Sequence, residues 1–165
     1  MILQKTLFKS DSNPKDIIYT SPIIAKIIID FLQPSGKCLD PCKGTGAFYN
    51  LLPHNSDFCE IAEGLDFFDY KNKVEWIISN PPYSILHSFL EKSFELAENV
   101  SFLLPVNKIF QNTKIARLIN NYGNIYSILS FGGGYSIGFP FNYSVANFHF
   151  KKNYSGQTNI KLGII

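Results

Sequence analysis

Asn80, Pro81, Pro82 and Tyr83 follow directly on the strand-like run Glu75-Trp76-Ile77-Ile78-Ser79. Within four residues they supply the parts needed to hold a planar exocyclic amine for alkylation. The side-chain carbonyl of Asn80 can accept one amino hydrogen. The backbone carbonyl of Pro81 can accept the other, because proline keeps its acceptor while losing its donor. Two prolines stiffen the loop, so both acceptors are aimed before a ligand arrives. Tyr83 adds an aromatic face on which a flat base can stack. A rigid strand-to-helix turn would use the same four residues, and the tetrad alone leaves both readings open.

A second constellation lies upstream. Asp40 ends a short strand, Lys37 to Asp40, that runs into the turn Pro41-Cys42-Lys43-Gly44-Thr45-Gly46. Gly44 and Gly46 permit close backbone approach to a ligand, although a lone Gly-x-Gly also serves in simple turns. Twenty residues after Asp40, Glu60 ends a second apolar run. In nucleotide-binding α/β folds an acidic side chain at that spacing binds ribose hydroxyls. No Gly-Lys-Ser/Thr follows the glycines, which argues against a triphosphate cradle and for a nucleoside without pyrophosphate. His54, His87 and His149 have no partners at metal-ligand spacing, so no metal is expected. Asp57 and Asp69 read as solvated carboxylates and Lys43 as solvent-facing. The run Gly132-Gly133-Gly134 reads as a flexible loop. Lys108, Lys114, Arg117, Lys151 and Lys152 could touch a phosphate backbone or be ordinary surface charges.

The elements that must position these residues alternate. Thr20, Ser21 and Pro22 read as a helix start, with a hydroxyl cap and proline in the first turn. Ile23, Ile24, Ile27, Ile28, Phe31 and Leu32 then share one helical face up to the stop Pro34-Ser35-Gly36. Ala47 to Leu52 reads as a short helix and Phe58 to Ile61 as a second strand. Val74 to Ser79 is a third strand, and Ser84 to Glu98 has helical spacing. Val100 to Leu104 reads as a buried strand and 109–121 as a surface helix. Tyr126 to Phe131 and Val145 to Lys151 are two final strands. Strands alternating with helices predict a doubly wound α/β sheet.

Composition fits one domain over residues 1–165, with 45% hydrophobic and 15% aromatic content. A net charge of +2 is too small to argue by itself for nucleic acid, so any basic surface must be local. Cys38 and Cys59 lie in apolar runs and Cys42 in the turn, without metal spacing, which suits core thiols in a reducing compartment. Lys5 and Lys9 interrupt any leader pattern, and no apolar run reaches membrane length. A cytoplasmic location without membrane association is the expectation.

Taken together, the segment Asp40-Pro41-Cys42-Lys43-Gly44-Thr45-Gly46-Ala47-Phe48 and the tetrad Asn80-Pro81-Pro82-Tyr83 resemble the S-adenosylmethionine-dependent DNA adenine-N6 methyltransferases. Those enzymes carry Asp-Pro-Phe-x-Gly-x-Gly-x-Phe followed by Asp/Asn-Pro-Pro-Tyr/Phe. Tyr19-Thr20-Ser21-Pro22 resembles the Thr-Pro segment that covers the methionine end of the cofactor. Asp66-Phe67 resembles the pair that contacts its adenine, and Gly138-Phe139-Pro140-Phe141 lies where the family sets an aromatic against a flipped base. The order is similar to the gamma arrangement and spans about residues 19 to 150.

The resemblance implies a Rossmann-like class I methyltransferase fold, a mostly parallel sheet with an antiparallel C-terminal strand. It implies S-adenosylmethionine as cofactor, held by Tyr19, Thr20, Pro22, Asp40, Pro41, Gly44, Gly46, Phe48, Glu60, Asp66, Phe67 and Asn80. Catalysis would rest on Asn80, Pro81, Pro82 and Tyr83, with base stacking by Tyr83, Phe139 and Phe141. The implied substrate is DNA. Cys42 departs from the family's phenylalanine, Ser21 is inserted before Pro22, and the interval from Glu60 to Asp66 is short. The chain has no room for the family's separate target-recognition domain. A specificity subunit, a homodimer or relaxed specificity on single strands could supply recognition. RNA bases and protein glutamine are the alternative acceptors, and a cofactor-binding subunit that needs a partner is the alternative role. The enzymes acting on those acceptors carry Asp-x-Gly-x-Gly-x-Gly, which contrasts with Asp40-Pro41 and Ala47-Phe48 here.

Overall fold

A computed structural model describes residues 18–163; Lys5 and Lys9, invoked against a leader, lie outside the described residues. Helix α1, Pro22–Leu32, begins as its sequence dictates. The Ser21 hydroxyl accepts the Ile24 N–H at 3.3 Å, and Pro22 occupies the first turn, where a missing donor costs nothing. Ile24, Ala25 and Ile28 form its buried face. Gln33, in a left-handed conformation (φ 48°), ends it.

The strands are β1 (Cys38–Asp40), β2 (Asp57–Phe58), β3 (Val74–Ser79), β4 (Ala97–Pro105), β5 (Gly123–Gly133), β6 (Ser144–Lys152) and β7 (Asn159–Leu162). They form one sheet in the order β2-β1-β3-β4-β6-β5-β7. Every neighbouring pair is parallel except those made by β6, which runs antiparallel to β4 and β5. This is the Rossmann-like α/β architecture expected, with one refinement: the antiparallel strand is followed by β7, which returns parallel to β5.

Both faces of the sheet are covered, and strand alternation decides which residue serves which face. On one face Ile77, Val100, Phe102, Leu104, Phe148 and Phe150 pack against α2 (Leu86–Leu96), α3 (Val106–Phe110) and α4 (Thr113–Tyr122). On the other face Ile78, Leu103, Leu129 and Val145 pack against Ile24, Ala25 and Ile28 of α1. No helix among the described residues is long and apolar enough to cross a membrane.

Several local expectations change. The helix expected over Ala47 to Leu52 is one 3₁₀ turn, Tyr49–Leu51. The second strand is Asp57–Phe58, so Glu60 lies beyond it and caps a 3₁₀ turn, Ile61–Glu63. The helix expected over 109–121 is two, divided at Asn112, whose side chain accepts the Lys114 and Ile115 N–H groups. Such an N-cap starts a new helix instead of continuing an old one. Gly132 and Gly133 extend β5 through a register shift and do not form a loop. Parallel strands β1 and β3 end side by side, which brings the glycine turn and the tetrad to one edge.

Candidate functional site

The two strand ends are tied together by a buried carboxylate. Asp40 is 1% exposed. One of its oxygens accepts the Ser79 hydroxyl at 2.7 Å and the Cys42 N–H at 3.2 Å. Burial pushes its pKa up to about 6, while the Ser79 hydroxyl and the N–H groups of Cys42 and Tyr49 pull it back. Asp40 thus fixes the turn to the residue preceding Asn80 and does not face a ligand. Pro41 is buried beside it.

In the turn itself, Gly44 (φ +51°) and Gly46 (φ +86°) adopt left-handed conformations that side chains resist. The Gly44 N–H donates to Glu60 at 2.7 Å, and the other Glu60 oxygen accepts the Ala62 N–H at 3.1 Å. A carboxylate offers about four lone pairs, so these two bonds orient Glu60 and leave capacity for hydroxyl groups. Above Gly44 lies the Tyr19 ring, 3.3 Å from where a Cβ would stand. Lys43 does not point to solvent. Its ammonium pairs with Glu63 and lies 3.9 Å from the centre of the Phe58 ring.

At the tetrad, the Asn80 amide nitrogen donates to the Ile18 carbonyl at 2.9 Å and to the Thr20 hydroxyl at 3.2 Å. A backbone carbonyl has nothing to donate, so the atom facing Ile18 must be the NH₂. The opposite Asn80 atom is therefore the oxygen, which accepts the Tyr83 hydroxyl at 2.8 Å. Its second lone pair is available to an amine. Pro81 and Tyr83 are buried, and Pro82 is half-buried. Tyr83 therefore presents its hydroxyl to Asn80, a role its ring chemistry did not suggest.

Phe141, half-buried, stands 6.5 Å from the Tyr83 ring centre and 5.6 Å from that of Tyr143. Phe139 is 3% exposed and packs in the α1-side core, so it supports Phe141 and offers no face to a base. Thr20, Phe48 and Phe67 are likewise buried. Phe48 packs among the α1-side residues, and Phe67 against Phe68 and Phe89. Pro22 is exposed at the start of α1.

Asp66 accepts the Phe68 N–H at 2.9 Å, which aims its carboxylate along the rim of a cavity of about 430 Å³. Tyr49, Phe58, Cys59, Gly64, Leu65 and Tyr70 contribute to its wall. Asp57, also in that wall, is not simply solvated. Burial alone would raise its pKa, but Lys37 at 2.8 Å and the Tyr70 hydroxyl at 2.6 Å outweigh it and hold the carboxyl below the ordinary range. His149 is a core histidine bonded to Asn99 at 3.0 Å, its pKa lowered to about 4 by burial and by Lys151.

The donor set suits a nucleoside. It comprises two left-handed glycines, an oriented acid at Glu60 and a covering tyrosine, with a second acid, Asp66, in the wall of the cavity that Cys59 also lines. Sequence reasoning missed the Ile18 carbonyl and Ser79. A backbone carbonyl leaves no trace in residue type, whereas a serine closing an apolar strand beside Asn80 was a usable signal.

No protein-family model matches the chain, and no curated protein matches it. Solved structures do resemble it. A candidate class I S-adenosylmethionine-dependent methyltransferase from Listeria monocytogenes superposes with a TM-score of 0.58 at 13% identity, over 85% of this chain and 62% of the other. A type I restriction-modification methyltransferase subunit from Streptococcus thermophilus gives 0.64 at 14%, over 89% and 47%. A candidate RNA methyltransferase from Pyrococcus horikoshii gives 0.61 at 16%, over 88% and 91%. The chain thus spans about half of the type I subunit and most of the Pyrococcus protein. At these identities the likeness establishes the fold: a Rossmann-like sheet shared with class I methyltransferases.

Proposed function

We propose that this chain transfers the methyl group of S-adenosylmethionine to N6 of adenine in DNA. The observation that carries the reading is the orientation of Asn80. Its NH₂ is committed to Ile18 and Thr20, so its oxygen, which accepts the Tyr83 hydroxyl, keeps a second lone pair, and the adjoining Pro81 adds a carbonyl acceptor. Those two acceptors take the two amino hydrogens of a planar amine. The nitrogen lone pair is then directed out of the ring plane, at the sheet edge that also carries the turn with Gly44. S-adenosylmethionine, when bound, supplies an electrophilic methyl group on a sulfonium. Glu60 would hold its ribose hydroxyls and Asp66 its adenine amine, and Tyr19, which packs over Gly44, would cover the turn. The N6–carbon bond forms as the carbon–sulfur bond breaks, and the sulfur leaves as a neutral thioether. The methylated nitrogen then loses one proton to solvent, so no nucleophilic side chain or strong base is required and positioning supplies most of the rate. A target base inside a duplex must swing out at a cost of a few kcal/mol. Stacking on Phe141, worth roughly 1–3 kcal/mol per base, offsets part of it.

Recognition supplied by a specificity subunit or a second copy accords with the likeness to a type I methyltransferase subunit, of which this chain spans about half. RNA as acceptor is the second reading, favoured by the structural likeness to the Pyrococcus protein, a candidate RNA methyltransferase. Asn80→Ala tests the assignment: turnover is lost while donor affinity, read by calorimetry, stays within about threefold, because binding rests chiefly on the glycine turn. Near-wild-type turnover by that variant would remove Asn80 from the clamp.

A further inference from the structure

The three residues Ile18, Tyr19 and Thr20 touch both halves of the site. Tyr19 packs over Gly44, while the Ile18 carbonyl and the Thr20 hydroxyl receive the two hydrogens of the Asn80 amide. Thr20 is 7% exposed, so its bond to Asn80 lies largely away from water. We infer that Thr20 is a positioning residue. With Ile18, whose carbonyl fixes which end of the amide is the NH₂, it holds the rotation of the Asn80 amide, and it links the cover over the donor turn to the amine clamp.

This inference rests on the proposed methyl transfer. It follows from the donor count. An amide whose two hydrogens are both taken has one rotational state. The Ile18 carbonyl decides which end of the amide is the NH₂, and the second acceptor at Thr20 narrows the swing of the group and so the direction of its oxygen; loss of that acceptor loosens the aim. The Tyr83 and Thr20 hydroxyls both donate and accept, so they steady the amide about the orientation that the Ile18 carbonyl dictates.

Thr20→Val is nearly isosteric and removes the hydroxyl, and Thr20→Ser restores it. At saturating donor, Thr20→Val lowers kcat about tenfold, the size of one lost hydrogen bond to a buried group. Donor Kd by calorimetry moves less than about threefold, and Thr20→Ser returns kcat to within about threefold of the unaltered chain. A readout independent of turnover is the Asn80 side-chain NH₂ pair in nitrogen-edited NMR, assigned by its absence in Asn80→Ala. In Thr20→Val one proton of that pair shifts upfield and exchanges faster with solvent. Unchanged kcat and an unchanged NH₂ pair would overturn the inference, as would a kcat loss that serine fails to repair. Absence of methyl transfer by the unaltered chain, with the NH₂ pair responding as described, overturns the function and leaves the geometry standing.

Discussion

Replacing Asp40 with asparagine separates the carboxylate's charge from its hydrogen bonds. In the unfolded chain this carboxyl ionises near 3.8, whereas in the fold burial raises its pKa to about 6. Below about pH 4 it is protonated in both states and carries no charge penalty. Between about 4 and 6 the unfolded chain releases the proton while the fold retains it, so stability falls as pH rises. Above about 6 the loss is constant, about 3 kcal/mol from the cited rise at 1.4 kcal/mol per tenfold. Asparagine keeps the oxygen that accepts Ser79 and Cys42 but sets an NH₂ toward the Tyr49 N–H, which costs about 1–2 kcal/mol. The variant is therefore more stable than the parent by about 1–2 kcal/mol at pH 8, or roughly 2–8 °C in Tm for a chain of this size. It is less stable than the parent at pH 4. Urea unfolding at half-unit pH intervals reads the crossing. A variant less stable at pH 8, or a difference that does not change between pH 4 and 6, refutes the burial argument.

The remaining predictions concern the turn and the clamp. Glu60→Ala frees the Gly44 N–H and removes the acid, so donor affinity by calorimetry falls about tenfold or more, one charge-assisted bond being worth about 1.5–3 kcal/mol; unchanged affinity would release Glu60 from the ribose role. Gly46→Ala places a Cβ 2.9 Å from the Asn50 amide at φ +86°, and urea unfolding should show a loss of about 1–2 kcal/mol. Asn80→Asp turns a carboxylate oxygen toward the Ile18 carbonyl, which repels it. Its kcat falls at least tenfold at pH 8, a loss of about 1.4 kcal/mol or more in transition-state binding. Turnover equal to the parent's would show that Ile18 exerts no such control.

Much of the architecture was legible because its signals are local. The apolar face of Ile24 and Ile28 behind a Ser-Pro start, and the continuous apolar strands 74–79 and 100–104, are periodic and bounded by stop residues. The site edge was legible too, since Asp40 and Asn80 both follow strands that end together. What escaped was set by tertiary structure. Strand β7, Asn159–Leu162, is four exposed residues that pair with β5, and nothing in Asn-Ile-Lys-Leu distinguishes it from a tail. The division between α3 and α4 hinged on the Asn112 side chain turning back on its own backbone. Phe139 and Phe141 are two residues apart and look equivalent in sequence, yet only Phe141 is left with a face outside the core. Lys43 and Asp57 read as solvated because their partners, Glu63 with Phe58 and Lys37 with Tyr70, arrive from other segments.

The most direct measurement is nucleoside analysis by mass spectrometry after incubating the unaltered chain with S-adenosylmethionine carrying an isotopic methyl label and, in separate reactions, single-stranded DNA, duplex DNA, RNA and total protein. The account predicts label in N6-methyladenine from DNA with the unaltered chain and none with Asn80→Ala. Label confined to RNA or protein, label at another base position, or equal label from Asn80→Ala would contradict it.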